Sequence, residues 1–164
     1  MKTTIYIDAE WYIGGDLFLV GFCYNTGICY QLVNNEITKT AMKNILLNAD
    51  EIFFYGPDIG IIENQFNLDI RNKVRCFNLL KIFRQVLPPL DSYKLAHIEC
   101  LFGIQRKRVE YKKNIFDIFS DWKNLHKRKR ILEYNQEDVL NLRLLKKLIF
   151  KEFNVKLSDN DRLL

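Results

Sequence analysis

The sequence predicts an α/β fold, a mixed central sheet flanked by helices, in a single domain over residues 1–164. Three observations predict it. Short β-branched and aromatic runs separated by turn residues fill the first third of the chain. Helical periodicity dominates the remainder. No repeat, low-complexity tract or Pro/Gly/Ser linker divides the two. With 164 residues, 48% of them hydrophobic, the chain can bury one core and is short for two.

Thr4 to Ile7 and Leu17 to Tyr24 read as strands of a hairpin, with Gly14, Gly15 and Asp16 as the turn between them. Asn25, Thr26 and Gly27 turn the chain again before Ile28 to Val33, which gives three antiparallel strands. Glu36 to Asn48 carries Ile37, Ala41 and Ile45 at helical spacing, and Glu51 to Tyr55 returns to a strand pattern. From Asp58 onward helices are expected. Phe77 to Val86 stops before Pro88 and Pro89, and Ser92 to Phe102 stops at Gly103, a residue suited to follow a helix. Gln105 to Lys113 is polar and basic, a loop or strand-like excursion. Ile115 to Trp122 and Glu133 to Phe150 are the last two helices.

The chain has 25 Lys and Arg against 20 Asp and Glu, a net charge of +5 that favours a polyanionic partner such as nucleic acid. Cys23, Cys29, Cys76 and Cys100 form no C-x-x-C pair and have no histidine at metal-ligand spacing, so neither a zinc site nor a disulfide framework is indicated. His97 and His126 lack a Ser or Cys partner in any nucleophile motif. An apolar stretch of bilayer-crossing length is missing, and the opening MKTTIYIDAEWY does not read as a signal peptide, so a cytoplasmic protein without a membrane partner is expected.

Carboxylates stand out at three places. If the first strand continues through Asp8, Ala9 and Glu10, its alternation puts Asp8 and Glu10 on one face, where two unpaired acids need solvent, a cation or raised pKa values. An oxygen-rich pair of this kind suits Mg²⁺ or Mn²⁺, and equally describes a frayed strand end with solvated acids. Tyr134 and Asp138 are four residues apart, hence one helical turn apart on one face, and an acid heading a buried stripe with Leu145 and Ile149 wants a partner. Asp58 follows the turn Gly56-Pro57, where its position alone suits helix capping.

Together these residues resemble the DEDD exonuclease superfamily of the ribonuclease H-like fold, in its tyrosine-bearing subgroup. Asp8-Ala9-Glu10 looks like the first motif, Tyr55-Gly56-Pro57-Asp58 like the second and Tyr134-Asn135-Gln136-Glu137-Asp138 like the third. Phe77 to Leu80, Ser92 to Ile104 and Leu132 to Val139 look like a YprB-type ribonuclease H-like exonuclease domain, so nearly the whole chain is covered. The second motif departs from the family, which has Asn three or four residues before its Asp where this chain has Phe54 and Tyr55; Asp69 is the substitute candidate.

The resemblance implies a 3′-5′ exonuclease with two divalent ions, Mg²⁺ or Mn²⁺. Asp8, Glu10 and Asp138 would hold one ion, Asp8 and Asp58 the second, and Tyr134 would orient the attacking water. The implied partner is nucleic acid, DNA or RNA, single-stranded or with a free 3′ end. A structure-specific endonuclease and a non-catalytic binding module of the same fold are the alternatives. Two basic clusters offer phosphate contacts: Arg106, Lys107 and Arg108 with Lys112 and Lys113, and Lys127, Arg128, Lys129 and Arg130. Tyr12 and Tyr111 are candidates for stacking on bases, whereas Trp11 faces away from the Asp8 side.

Overall fold

The computed structural model describes residues 2–109 and 115–158; Tyr111, Lys112 and Lys113 lie outside the described residues. Five strands form one sheet in the order β3-β2-β1-β4-β5. β1 (Thr4–Trp11), β2 (Leu17–Tyr24) and β3 (Cys29–Val33) make an antiparallel meander, while β4 (Glu51–Phe54) and β5 (Arg75–Asn78) join parallel to β1 on its other side. The first turn passes through Gly14 and Gly15 at φ of 115° and 100°, a backbone region that residues with a Cβ rarely enter.

β1 runs beyond Ile7 because Asp8, Ala9 and Glu10 keep their ladder partners Gly21, Val20 and Leu19. The carboxylates are therefore strand residues. Helices α1 (Lys39–Leu46), α2 (Asp58–Phe66), α3 (Leu79–Val86), α4 (Leu95–Leu101), α5 (Ile115–Lys123) and α6 (Leu125–Glu152) complete the fold.

Three expectations are corrected. Phe77 and Asn78 open no helix; they end β5, in register with Phe53 and Phe54 of β4. A four-residue segment, Arg75–Asn78, is too short for its periodicity to separate strand from helix. The last helix starts at Leu125 rather than Glu133, since Asn124 accepts a hydrogen bond from the His126 amide and caps it there. Lys127 to Arg130 thus lie within α6, and Lys and Arg are good helix formers. The helix expected over 36–48 splits into a 3-10 turn at Asn34–Glu36 and α1, whose start is fixed by the Thr38 hydroxyl accepting from the Ala41 amide.

Strand alternation divides the core. Ile5, Ile7 and Ala9 of β1 pack with Met42, Leu46, Ile59 and Ile62 of α1 and α2. Tyr6 of the opposite face joins Phe53, Phe77, Phe83, Ile98, Leu142 and Leu145, beneath α3, α4 and α6. A third cluster, Phe18, Leu19, Ile118, Trp122 and Ile131, fastens α5 and the start of α6 to β2. All four cysteines are free. Among the described residues no helix is long and apolar enough to cross a membrane.

Candidate metal centre

Asp8 and Glu10 share with Tyr6 the β1 face that α6 covers. The buried stripe of α6, Ile131, Asn135, Asp138, Leu142, Leu145 and Ile149, has helical spacing, and its polar members Asn135 and Asp138 fall opposite the two strand acids. Gly21 makes the approach possible. It pairs with Asp8 across the ladder, and a Cβ there would lie 2.1 Å from Asn135 Oδ1. Asn135 Nδ2 donates to Asp8 Oδ2 at 2.8 Å and to the Asp8 carbonyl at 3.2 Å, while its Oδ1 accepts from Gln31 Nε2 at 2.9 Å. Carboxylate oxygens of Asp8, Glu10 and Asp138 come within 4.8 Å of one another.

Asp58 arrives from the end of β4. Capping was the role its position suited, but Pro57 occupies the cap and Asp58 is the first helical residue, 2% exposed. The backbone of Tyr55 and of Ala9 lies close enough to favour its charged form, and its Oδ2 has no partner among the described residues. The Asn78 amide braces the preceding turn, accepting from Gly56 N at 3.2 Å and donating to Gly56 O at 2.9 Å. Asp69 sits apart, exposed and accepting from Asn72.

Burial and mutual repulsion dominate the electrostatics. Loss of hydration raises the Asp8 carboxyl well above its ordinary range, the charges of Asp138, Glu10 and Asp58 raise it further, and only the Asn135 amide opposes them. Glu10 is raised by burial and then by Asp138 and Asp58. Burial lifts Asp58 to about 8 against the pull of the Tyr55 and Ala9 backbone, and lifts Asp138 to about 7 against the nearby Arg106. Acids so placed are poor neighbours without a cation. An all-oxygen donor set with an unpartnered Asp58 oxygen fits a hard divalent ion such as Mg²⁺ or Mn²⁺.

Tyr134 stands one turn before Asp138 on α6, where its hydroxyl favours the charged form of that carboxyl, and burial with the charges of Asp138, Glu10 and Asp8 keeps the phenol protonated. A cavity of about 230 Å³ opens beside it, bordered by Asp8, Asp138, Tyr55, Lys94 and Arg106. A larger cavity of about 600 Å³ around Gly60, Asn64 and Arg71 touches none of the clustered acids.

The candidate substrate residues are more dispersed. Arg106 is not a surface residue: its guanidinium is enclosed between Glu99 and Asp138, with 2% of the side chain exposed. The Lys107 amide donates to Glu137, and Arg108 pairs with Glu133. Lys127 pairs with Asp121 at 2.8 Å, and Arg128 lies 4.7 Å over the Trp122 ring, whereas Lys129 and Arg130 project from α6 into solvent. Tyr12 is half-buried against Phe18 and Phe119, its ring centre 4.7 Å from that of Phe18.

Four residues of the site escaped the sequence reading: Gln31, Lys94, Glu99 and Asn135. Glu99 falls on the apolar stripe Leu95, Ile98 and Phe102, and a buried acid in such a stripe demands a cation. Asn135, a neutral amide between Ile131 and Leu142, gave a weaker signal: buried in such a stripe it needs hydrogen-bond partners.

Residues 5–150 match a family model described as the RNase_H superfamily. No curated protein matches the chain. Among solved structures the fold is similar to the family B DNA polymerase from the hyperthermophilic archaeon Pyrobaculum calidifontis. That likeness has a TM-score of 0.69 and 12% identity over 91% of this chain and 25% of the polymerase, so the chain spans a quarter of the polymerase's length. A structure described as the apo form of a nuclease is similar too, with a TM-score of 0.70 and 19% identity over 92% of this chain and 72% of that one. At these identities both are likenesses of fold.

Proposed function

The chain belongs to the RNase_H superfamily, and from that membership we propose that it is a metal-dependent nuclease hydrolysing phosphodiester bonds of DNA or RNA. In finer terms it is a 3′-5′ exonuclease of the DEDD type, tyrosine subgroup and YprB-like, acting on a single strand or free 3′ end. One observation carries the reading: Asp8 and Glu10 of the central strand β1 and Asp138 of α6 bring ligand oxygens within 4.8 Å of one another. The unpartnered oxygen of Asp58 supports a fourth acidic ligand beside them.

Asp8, Glu10 and Asp138 would hold one divalent ion and Asp8 with Asp58 a second. Bound there, such ions supply Lewis acidity toward the phosphodiester and toward water. The chain's own groups do the rest. Asn135 fixes the Asp8 carboxylate from behind, and Gln31 fixes Asn135. The Tyr134 phenol, kept protonated by its anionic surroundings, would orient the attacking water as a hydrogen-bonding group and would not remove its proton. Lys94, exposed at the edge of the cavity, is placed to meet a phosphate.

The test is incubation of 5′-labelled and 3′-labelled single strands of DNA and RNA with Mn²⁺ or with chelator. A ladder shortening the 5′-labelled strand, and loss of the 3′ label in mononucleotides, is expected with Mn²⁺ alone. Internal fragments would replace the exonuclease with an endonuclease, and binding without cleavage would leave only a binding module.

A further inference from the structure

Arg106 carries its charge into the interior, into direct contact with the acid cluster. Nε and Nη2 both donate to Glu99, which is fully enclosed, and Nη2 also donates to Asp138 Oδ1. Nη1 has no partner among the described residues, and the side chain borders the cavity shared by Asp8, Tyr134 and Asp138. The guanidinium also lies 5.4 Å from the centre of the Tyr134 ring. One cation is thus divided between two buried anions, Glu99 from α4 and Asp138 from α6.

We propose that Arg106 is a resident counter-cation that competes with the divalent ion for Asp138, weakening metal binding while it stabilises the metal-free fold. The inference rests on the reading of the acid cluster as a metal centre. Its physics is Coulombic: like charges at contact range in a poorly hydrated site repel by several times thermal energy, so any ion ligated by Asp138 is opposed by the guanidinium on the same carboxylate. Glu99 sets how far. Its carboxylate draws Arg106 away from Asp138 with two hydrogen bonds, and without that charge the guanidinium would turn wholly toward Asp138.

The two partners therefore have opposite effects, which a purely structural clamp would not produce. Calorimetric titration of the chelator-stripped protein with Mn²⁺ reads them directly. Glu99→Gln, which frees Arg106 for Asp138, is expected to weaken Mn²⁺ binding by about threefold or more. Glu99→Gln with Arg106→Gln removes one charge of each sign and leaves two amides able to hydrogen-bond. It is expected to tighten Mn²⁺ binding by about tenfold, to melt lower than wild type in chelator and to gain more from saturating Mn²⁺. Affinities that are equal in the three proteins, or shifts of the opposite sign, overturn the role of Arg106 while leaving the metal centre intact. No Mn²⁺ binding by any of the three overturns both. If the double variant does not fold, Glu99→Met with Arg106→Met, an apolar replacement of the ion pair, is read in its place: tighter Mn²⁺ binding than wild type supports competition, and unchanged or weaker binding ends it.

Discussion

Gly21→Ala should be among the most damaging single-methyl additions in this protein. The new Cβ would stand 2.1 Å from Asn135 Oδ1 and 2.9 Å from its Cγ, so Asn135 must swing away or α6 must lift from the sheet. Overpacking of this kind costs about 1–3 kcal/mol. The displaced amide also gives up its bonds to Asp8 and Gln31 in a fully buried position, at a cost of about 1–3 kcal/mol more. The sum is about 4 kcal/mol, which for a chain of this size lowers Tm by about 10 °C. Thermal melts in chelator measure it, with Gly60→Ala as the control. Gly60 lies in α2 with nothing within 4 Å of an added Cβ, and the substitution there should be neutral or stabilising. Mn²⁺ affinity should fall in Gly21→Ala as well, because Asp8 loses the amide that orients it. A Gly21→Ala protein melting within about 2 °C of wild type would refute the packing of α6 against β2 at Asn135.

In the metal-free protein the acid cluster should make stability fall as pH rises. Asp58 and Asp138 hold protons up to about 8 and about 7 when folded, against an ordinary value of 3.8. Their stabilising contribution is therefore complete below about 3.8 and lost as pH climbs through 7 to 8. Melts in chelator should give a higher Tm at pH 5.5 than at pH 8, a gap that saturating Mn²⁺ closes; a Tm that rises with pH contradicts it. Asp58→Ala should cut nuclease turnover far more than Asp69→Ala, since Asp58 acts on the charges of Asp8 and Glu10 while Asp69 is exposed and bonds to the surface residue Asn72. The opposite ranking in initial rates would move the fourth acid. Lys129→Gln with Arg130→Gln should lower the slope of log affinity against log salt for a single strand by about 1.4, or about 0.7 per lost phosphate contact. An unchanged slope would make that end of α6 a solvated face.

The parts of the site that depend on local period were legible in the chain. Strand alternation brought Asp8 and Glu10 to one face, and the four-residue spacing on a helix brought Tyr134 over Asp138. What depends on contact between distant segments was not. Nothing near Gly21 announces that Asn135 will fill the place of its side chain, because that requirement exists only once α6 lies across β2. Arg106 reads as one more charge in a basic run, and becomes a core residue only because Glu99 and Asp138 are already buried around it. β5 was hidden for a different reason. Four residues give no period, and its partner β4 supplies the register that the segment itself does not specify.

The central claim is that Asp8, Glu10, Asp58 and Asp138 form a metal-dependent hydrolytic centre. The most direct measurement is the initial rate of cleavage of a 5′-labelled single strand in Mn²⁺ by wild type, Glu10→Gln and Asp138→Asn, each shown to be folded by its melt. Wild type should cleave in Mn²⁺ and stop in chelator, and each variant should lose at least about a hundredfold in rate, the scale on which removing one preorganised charge-stabilising group acts. Folded variants that keep the wild-type rate, or cleavage that continues unchanged in chelator, would contradict it.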